Sequence, residues 1–460
     1  MSFVSRVRAL SPTTILAIGW LGLVLYAFPG HMSFDSAAQL IESRGGSYTD
    51  AHPPAMAALW RLVEVFVSGP VGILLIQTTT LLAGAYLLLK RRMSPRAAAV
   101  TTSLLLWFPV VSNTMSTIWK DSLMSAFLLL GTALLLSERR NVRIGGLAFL
   151  AAATAMRHNA FAMTLPLVVL LFVWNPAYAW WRRYAIAFAA WIVVTGSAQF
   201  VNRALTRHEL HLWHQSLAEL DIVGTLQYVD DIPDAELHRI LDGTGAVLTD
   251  HQHAKLRVAR APDVDVVAQL WVVTDALFAR PRPPKLGLRW PDVQTPAQRD
   301  AMARAWKEVV PTHLSAYLHY RWDVFRQLMQ MTEVPVGSAA YLWFNDIQDI
   351  DDSAYKIGHD ASYSGIQRPL HDAMWWLGST VLFNVYVYVL LAIALLPWCL
   401  RDREVLGLVA SGLVGSAGLF VVAPTTDFRY MFWLVLCALL GLIMTVTRQI
   451  AWVTASTMKQ

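Results

Sequence analysis

Residues 12–29, PTTILAIGWLGLVLYAFP, are almost wholly apolar and run directly into residues 31–54, HMSFDSAAQLIESRGGSYTDAHPP. The apolar run is long enough to cross the roughly 30 Å hydrocarbon core of a bilayer as a helix. Two arginines precede it, so the positive-inside rule puts the polar stretch on the side of the membrane away from the cytoplasm. The first outer loop then contains Asp35, Asp50 and His52, whose side chains can titrate.

The rest of the chain continues this apolar character. It has 460 residues, 55% hydrophobic and 15% charged, and its mean hydropathy is +0.43. The first run is interpreted as a retained helix, because no convincing small-residue cleavage site follows it. The sequence predicts an all-α polytopic membrane protein with about ten transmembrane helices, at about 12–29, 70–89, 97–112, 121–137, 144–157, 159–174, 185–204, 373–399, 405–423 and 429–447.

Lysine and arginine are concentrated in the short connections on one side of the predicted membrane, which marks that side as cytoplasmic, together with both termini. Three regions follow from this topology. An N-terminal transmembrane module (1–204) includes the first outer loop (30–69). An extracytoplasmic, mainly helical insert (205–372) comes next, and a C-terminal transmembrane module (373–460) ends the chain. Within the insert, Thr295, Pro296 and Gln298 match the N-cap, N1 and N3 positions of a helix.

Cysteine usage and charge exclude several classes of protein. Cys399 and Cys437 are the only cysteines and lie within or beside apolar segments, so neither a disulfide framework nor a thiolate metal site is expected. The net charge of +5 is explained mostly by the cytoplasmic loops and does not argue for a nucleic-acid partner.

The first outer loop holds the main candidates for chemistry. Asp35 is either the N-cap of a helix over residues 36–43 or a general base that accepts a proton from an attacking hydroxyl. His52 serves either the loop structure or a substrate. Together with Asp50 they could also bind a divalent cation, although their spacing matches no metal motif. The stretch at 53–67 predicts an amphipathic interfacial helix, or an extension of the next span.

Further charged residues stand at the outer ends of later spans. Cations at such membrane depth are costly unless they are paired or used, and a lipid phosphate at the interface is a natural partner for them. The alternative is internal pairing, for example of Lys120 with Asp121 and of Asp427 with Arg429. Three outer connections carry these groups: Lys120 and Asp121, Arg157 and His158, and Asp427 and Arg429.

In architecture and short motifs the chain resembles the GT-C class of integral-membrane glycosyltransferases, which includes protein O-mannosyltransferases and the lipid A aminoarabinose transferase. Asp35 corresponds to the acidic residue of the first outer loop. The resemblance covers about 1–200 and 373–447. Its other motifs are HPP at 52–54, IWKD at 118–121, RHN at 157–159 and DFRY at 427–430.

This resemblance implies an inverting transfer of a sugar from an outer-leaflet polyprenyl monophosphate to a glycan, lipid or protein acceptor of the cell envelope, in the bacterial inner membrane. Asp35 would be the base, and no cofactor is certain. Lys120, Arg157, His158 and Arg429 would bind the donor phosphate, with support from Asp50, His52, Asp121, Asp427 and Arg321. In the insert, candidate acceptor contacts are Trp213, His214, Asp221, His313, His319 and Arg321.

Two other functions remain open. A flippase or transporter of a lipid-linked saccharide would need polar residues through the membrane midplane, and the predicted spans contain few of them. An O-antigen ligase or polymerase would use a diphosphate-linked oligosaccharide. The chain has no P-loop and no dinucleotide-binding turn, which agrees with a lipid-borne donor.

Overall fold

A computed structural model of the chain describes residues 10–211, 213–226, 228–229, 232–246, 294–331, 365, 367–378, 380–423 and 427–457. These residues are mostly helical, as predicted, and no strand forms among them. By contacts the chain divides into two compact units. The first comprises Met1–His208, Ala339–Ser416 and Phe428–Gln460, and the second comprises Glu209–Ser338 and Ala417–Asp427.

Helices α1 to α10 follow one another in the first unit, and local signals explain many of their starts. Ser11 and Ser94 each cap a helix whose first residue is proline, which suits a position where no amide hydrogen is needed. The bounds are Pro12–Ala27, Phe34–Gly45, Ala55–Glu64, Val71–Leu89, Pro95–Leu106, Pro109–Ser116, Lys120–Leu135, Arg140–Met156, Ala160–Leu171 and Trp180–Leu205.

Helix α7 (Lys120–Leu135) lies at the centre of the first unit, and almost all of its 16 residues are buried. It packs against α4 (Val71–Leu89) and α8 (Arg140–Met156). Glycine makes this close packing possible. A Cβ on Gly84 of α4 would lie 2.7 Å from the backbone nitrogen of Leu130, so a larger residue would push the two helices apart.

The described part of the second unit contains α11 (Ala218–Leu226), α12 (Asp234–Leu241), α13 (Pro296–Thr312) and α14 (Leu314–Leu328). The predicted start of α13 is confirmed. The Thr295 hydroxyl accepts a hydrogen bond from the Gln298 amide, and the Gln298 side-chain oxygen accepts one from the Thr295 amide. Much of the predicted insert, including 247–293 and 332–364, lies outside the described residues.

Four helices follow the second unit's helices along the chain: α15 (Gln367–Gly378), α16 (Val385–Cys399), α17 (Arg403–Val422) and α18 (Phe432–Thr457). The prediction of one span over 373–399 is wrong, because the helix breaks between Gly378 and Val385 at a 3-10 turn, Val381–Phe383. A second 3-10 turn, Phe428–Met431, leads into α18 and carries Arg429.

Four segments of the described chain are long and apolar enough to cross a membrane: Val71–Leu89, Trp180–Leu205, Arg403–Val422 and Phe428–Ile450. The pair α5 and α6, bent by 69°, makes a fifth if it counts as one span. Other apolar helices, such as α9 with 12 residues, are shorter than the roughly 20 residues that a straight crossing needs. Length and composition therefore support a membrane protein without reproducing the predicted ten spans.

Candidate functional site

Two chain segments, one leading into α2 and the other into α7, are joined by backbone hydrogen bonds beside the candidate site. The His31 amide donates to the Ser116 carbonyl at 3.0 Å, and the Ile118 amide donates to the His31 carbonyl at 2.8 Å. The Trp119 indole donates to the Ser33 hydroxyl at 2.8 Å. The first turns of two helices are thereby brought together, although the segments are far apart in sequence.

Asp35 lies in the first turn of α2 and does not cap it. The helix begins one residue earlier, and Ser33 is its N-cap, in a capping box with Ser36. The interpretation of Asp35 as the N-cap is therefore wrong, since Asp35 already lies within the helix and the Ser33 hydroxyl caps the Ser36 amide. At the other end of α2, Gly46 adopts the left-handed conformation, with φ of 66°, that commonly terminates helices.

The Asp35 carboxylate faces three basic side chains. Its Oδ2 is 2.7 Å from Arg429 Nη2 and 3.8 Å from Lys120 Nζ, and its Oδ1 is 3.7 Å from His52 Nε2. Lys120 Nζ also lies 2.5 Å from His52 Nδ1. A charged ammonium can only donate, so Nδ1 of His52 is the acceptor and the ring proton sits on Nε2, toward Asp35.

A second carboxylate, Asp121, organises the other side of the site. It is 1% exposed, and its two oxygens lie 3.3 Å from Arg157 Nε and 3.9 Å from Arg429 Nε. Arg429 thus spans both carboxylates. The Tyr430 ring lies under both guanidinium groups, with its centroid 4.4 Å from Arg157 and 5.4 Å from Arg429. These contacts hold the arginine planes in fixed orientations.

Lys120, Arg157 and Arg429, hereafter the cationic cluster, outnumber the carboxylates of Asp35 and Asp121 by one charge. Burial alone would raise the pKa of the Asp35 carboxyl, but the surrounding positive charges, Arg429 foremost, lower it well below its usual range. Burial, and then the charge of Lys120, lowers the pKa of His52 to about 3. With His52 neutral, the site has a net positive charge near pH 7.

The alternative pairing of Lys120 with Asp121 is not what the structure has. Lys120 faces the first loop, whereas Asp121 faces the two arginines. The reason is helical geometry, because successive residues of a helix point in different directions.

The remaining predicted residues lie less centrally. His158 is exposed beside Arg157, and Asp50 is close enough to His158 to act electrostatically on its ring. Arg321 belongs to the second unit, where it pairs with the buried Asp221 and donates to the Ala423 carbonyl at 3.0 Å. Asp427 is buried and also falls in the second unit by contacts.

Of the candidate acceptor contacts, Asp221 is buried, and it forms an ion pair with Arg321. His319 is exposed and its ring lies 4.4 Å from that of Tyr228. Trp213 is exposed, and its ring is 5.7 Å from Trp306. In the part of the chain that the structure describes, no three His, Cys, Asp or Glu side chains are grouped closely enough to hold a metal ion.

Two buried amides of the site were not predicted. Gln77 of α4 donates to the Met115 and Thr117 carbonyls at 2.8 and 2.9 Å, which fixes the turn before Lys120. Asn202 of α10 bonds to backbone groups on two other segments. The sequence does contain a signal for them, namely an amide side chain inside an apolar helix. Burying such a side chain without hydrogen-bond partners is unfavourable.

No protein-family model, no curated protein and no solved structure matches the chain.

Proposed function

We propose that the chain is a membrane glycosyltransferase of the GT-C type, which moves a sugar from a polyprenyl monophosphate carrier to a cell-envelope acceptor with inversion at the anomeric carbon. The observation that carries this proposal is the cationic cluster next to Asp35. A carboxylate and an excess of buried positive charge are the two groups that such a transfer needs, one for the incoming hydroxyl and one for the leaving phosphate.

The donor phosphate binds among Lys120, Arg157 and Arg429, where it supplies the missing negative charge. In doing so it competes with Asp35 for Arg429 and Lys120. Because those cations hold the pKa of Asp35 low, their engagement by phosphate raises the pKa of Asp35 and makes it a stronger base. Donor binding thus prepares the base for the reaction.

In the transfer step the acceptor oxygen attacks the anomeric carbon and gives its proton to Asp35. The bond between that carbon and the phosphate oxygen breaks, and the carrier phosphate leaves with the electron pair. Arg157 and Arg429 stabilise its charge, and Asp121 and Tyr430 keep them oriented. A single displacement of this kind inverts the configuration.

We further propose that the chain crosses the bacterial inner membrane about ten times, with both termini in the cytoplasm and the site on the outer face. The positive-inside bias supports this orientation. The insert then lies on the acceptor side.

Binding of undecaprenyl monophosphate to the purified protein in lipid nanodiscs, followed by native mass spectrometry, tests the proposal. Lys120→Gln, Arg157→Gln and Arg429→Gln should each weaken binding by about tenfold or more, since each removes a charge-assisted contact of roughly 1.5–3 kcal/mol.

The matched control is Arg61→Gln. Arg61 lies in α3, within the first outer loop and outside the cationic cluster, and its guanidinium donates to the Ser43 carbonyl at 3.1 Å. Equal affinity in all four variants and the wild type would contradict the proposal. A clear preference for undecaprenyl diphosphate would favour the ligase or polymerase alternative.

A further inference from the structure

Asn202 joins two helix ends that carry the candidate site. It lies in α10 with 4% of its surface exposed. Its Oδ1 accepts from the Ala55 amide at 3.3 Å, and its Nδ2 donates to the Ala155 carbonyl at 3.0 Å. A flipped amide would satisfy neither bond, so the orientation of the side chain is fixed.

Both partners of Asn202 are backbone groups that helices leave without internal partners. Ala55 is the first residue of α3, and Ala155 lies in the last turn of α8. The first amides and the last carbonyls of a helix must find partners elsewhere. Asn202 satisfies one group of each kind at once, which a hydroxyl or an apolar side chain of similar size could not do with the same spacing.

The two helix ends lead to opposite sides of the site. Ala55 comes three residues after His52, which contacts Lys120 and Asp35. Ala155 comes two residues before Arg157, which contacts Asp121. The distance between these two backbone segments therefore helps to set how far Arg157 stands from Lys120.

We propose that Asn202 is a positioning residue for the anion site: it sets the separation between the His52 and Lys120 side of the cluster and the Arg157 side. The identity of the anion as a carrier phosphate rests on the proposed function. The placement of the two segments does not.

A measurement without any ligand tests the placement. In a background with Cys399 and Cys437 replaced, spin labels on Ala51→Cys and His158→Cys report the distance between the two segments. Asn202→Leu should lengthen or broaden that distance distribution. Thr78→Val is the matched control, since Thr78 is a buried hydroxyl that accepts from Trp20 at 3.0 Å and joins α1 to α4. It should leave the distribution unchanged.

A binding cycle tests the consequence for the site, with undecaprenyl monophosphate as the probe. Asn202→Leu should weaken binding by roughly fivefold or more, and in an Arg157→Gln background its effect should be at least about threefold smaller, because the two residues act on the same contact. Asn202→Asp keeps the shape of the side chain and the acceptor for the Ala55 amide, but when ionised it loses the donor to the Ala155 carbonyl. Its loss of lipid affinity should therefore be intermediate. This variant still tests the proposal if Asn202→Leu fails to fold.

The outcomes separate the two proposals. An unchanged label distance in folded Asn202 variants overturns the positioning role, whatever the lipid does. Strictly additive binding effects of Asn202→Leu and Arg157→Gln overturn it as well. A wild-type protein that binds no undecaprenyl monophosphate, combined with a label distance that shifts, overturns the proposed function and supports the positioning role.

Discussion

His52 stands between an ammonium group and a carboxylate, and this placement has a consequence for stability. Burial and the charge of Lys120 lower the pKa of the folded imidazole from 6.5 to about 3. Between those two values the unfolded chain binds a proton at His52 and the folded chain does not. Stability is therefore lost as pH falls below about 6.5, by up to about 1.4 kcal/mol per pH unit.

The His52→Gln variant should escape this loss. Thermal unfolding measured between pH 7 and pH 5 should show a smaller fall in Tm for His52→Gln than for the wild type. The lowered pKa of Asp35 acts only below its ordinary value of 3.8, outside this window. His238→Gln, at an exposed position in the second unit, is the matched control for the loss of one histidine. Parallel slopes for wild type and His52→Gln would show that His52 is not held neutral.

The residues of the site could be predicted from the sequence, and most of their pairings could not. Asp35, Lys120, Arg157 and Arg429 were identified because charged residues at the ends of apolar runs are conspicuous. Which carboxylate meets which cation depends on helix rotation and on contacts between distant segments. The N-cap of α2 is Ser33 and not Asp35, and the sequence alone does not decide between them because serine and aspartate are about equally good N-caps.

A second charged cluster holds connections between helices together. Arg92, after α4, binds Asp402 at 2.5 Å and Glu404 at 2.7 Å, and both carboxylates lie at the start of α17. Arg448 of α18 also reaches Asp402, at 3.3 Å. The cluster ties an N-terminal connection to two C-terminal helices.

Arg92→Gln should lower the free energy of unfolding by about 1.5–3 kcal/mol, because it removes charge-assisted bonds from half-buried carboxylates. The matched variant is Arg91→Gln. Arg91 is 37% exposed and pairs with Glu404 alone among these carboxylates, so its loss should cost about 0–1 kcal/mol. Chemical unfolding in detergent measures both. An equal loss of unfolding free energy in the two variants would mean that the burial of Arg92 does not strengthen its ion pairs.

A sequence motif predicts a helix boundary well when the residues of the motif themselves form that boundary. The capping box at Thr295 and Gln298 is such a case. The break between α15 and α16 was missed because the apolar content of 373–399 is nearly continuous, and hydropathy does not register a short 3-10 turn. The bend of 69° between α5 and α6 falls at Pro109, which cannot supply the amide that a continuous helix requires.

The apolar helices support a membrane protein, and the orientation of the chain in the membrane is a prediction. Single cysteines in a background without Cys399 and Cys437 test it. Ser47→Cys and Lys307→Cys should react with an impermeant reagent added from outside the cell, whereas Glu138→Cys should react only after the cytoplasmic face is opened. All three positions lie at the surface or in a loop. If Ser47→Cys reacted only from the cytoplasmic side, the predicted orientation would be wrong.

Fold class could be predicted from composition, because long apolar runs leave few alternatives to membrane helices. The number of spans is harder, since several apolar helices, such as α9, are too short for a straight crossing. Hydropathy measures the length of an apolar run, whereas a crossing also depends on tilt and on how neighbouring helices cover each end.

In the proposed reaction Asp35 takes the proton of the acceptor hydroxyl, while the cationic cluster binds the carrier phosphate of the sugar. The most direct test compares wild type with Asp35→Asn in nanodiscs, using polyprenyl monophosphate donors with a labelled sugar and solubilised cell-envelope acceptors. The wild type should move the label from carrier to acceptor. Asp35→Asn, whose helix keeps its Ser33 cap, should bind undecaprenyl monophosphate at least as tightly and transfer about 10² to 10⁴ times more slowly. A folded Asp35→Asn that transfers at the wild-type rate, or a wild type that leaves every labelled sugar on its carrier, would contradict the claim.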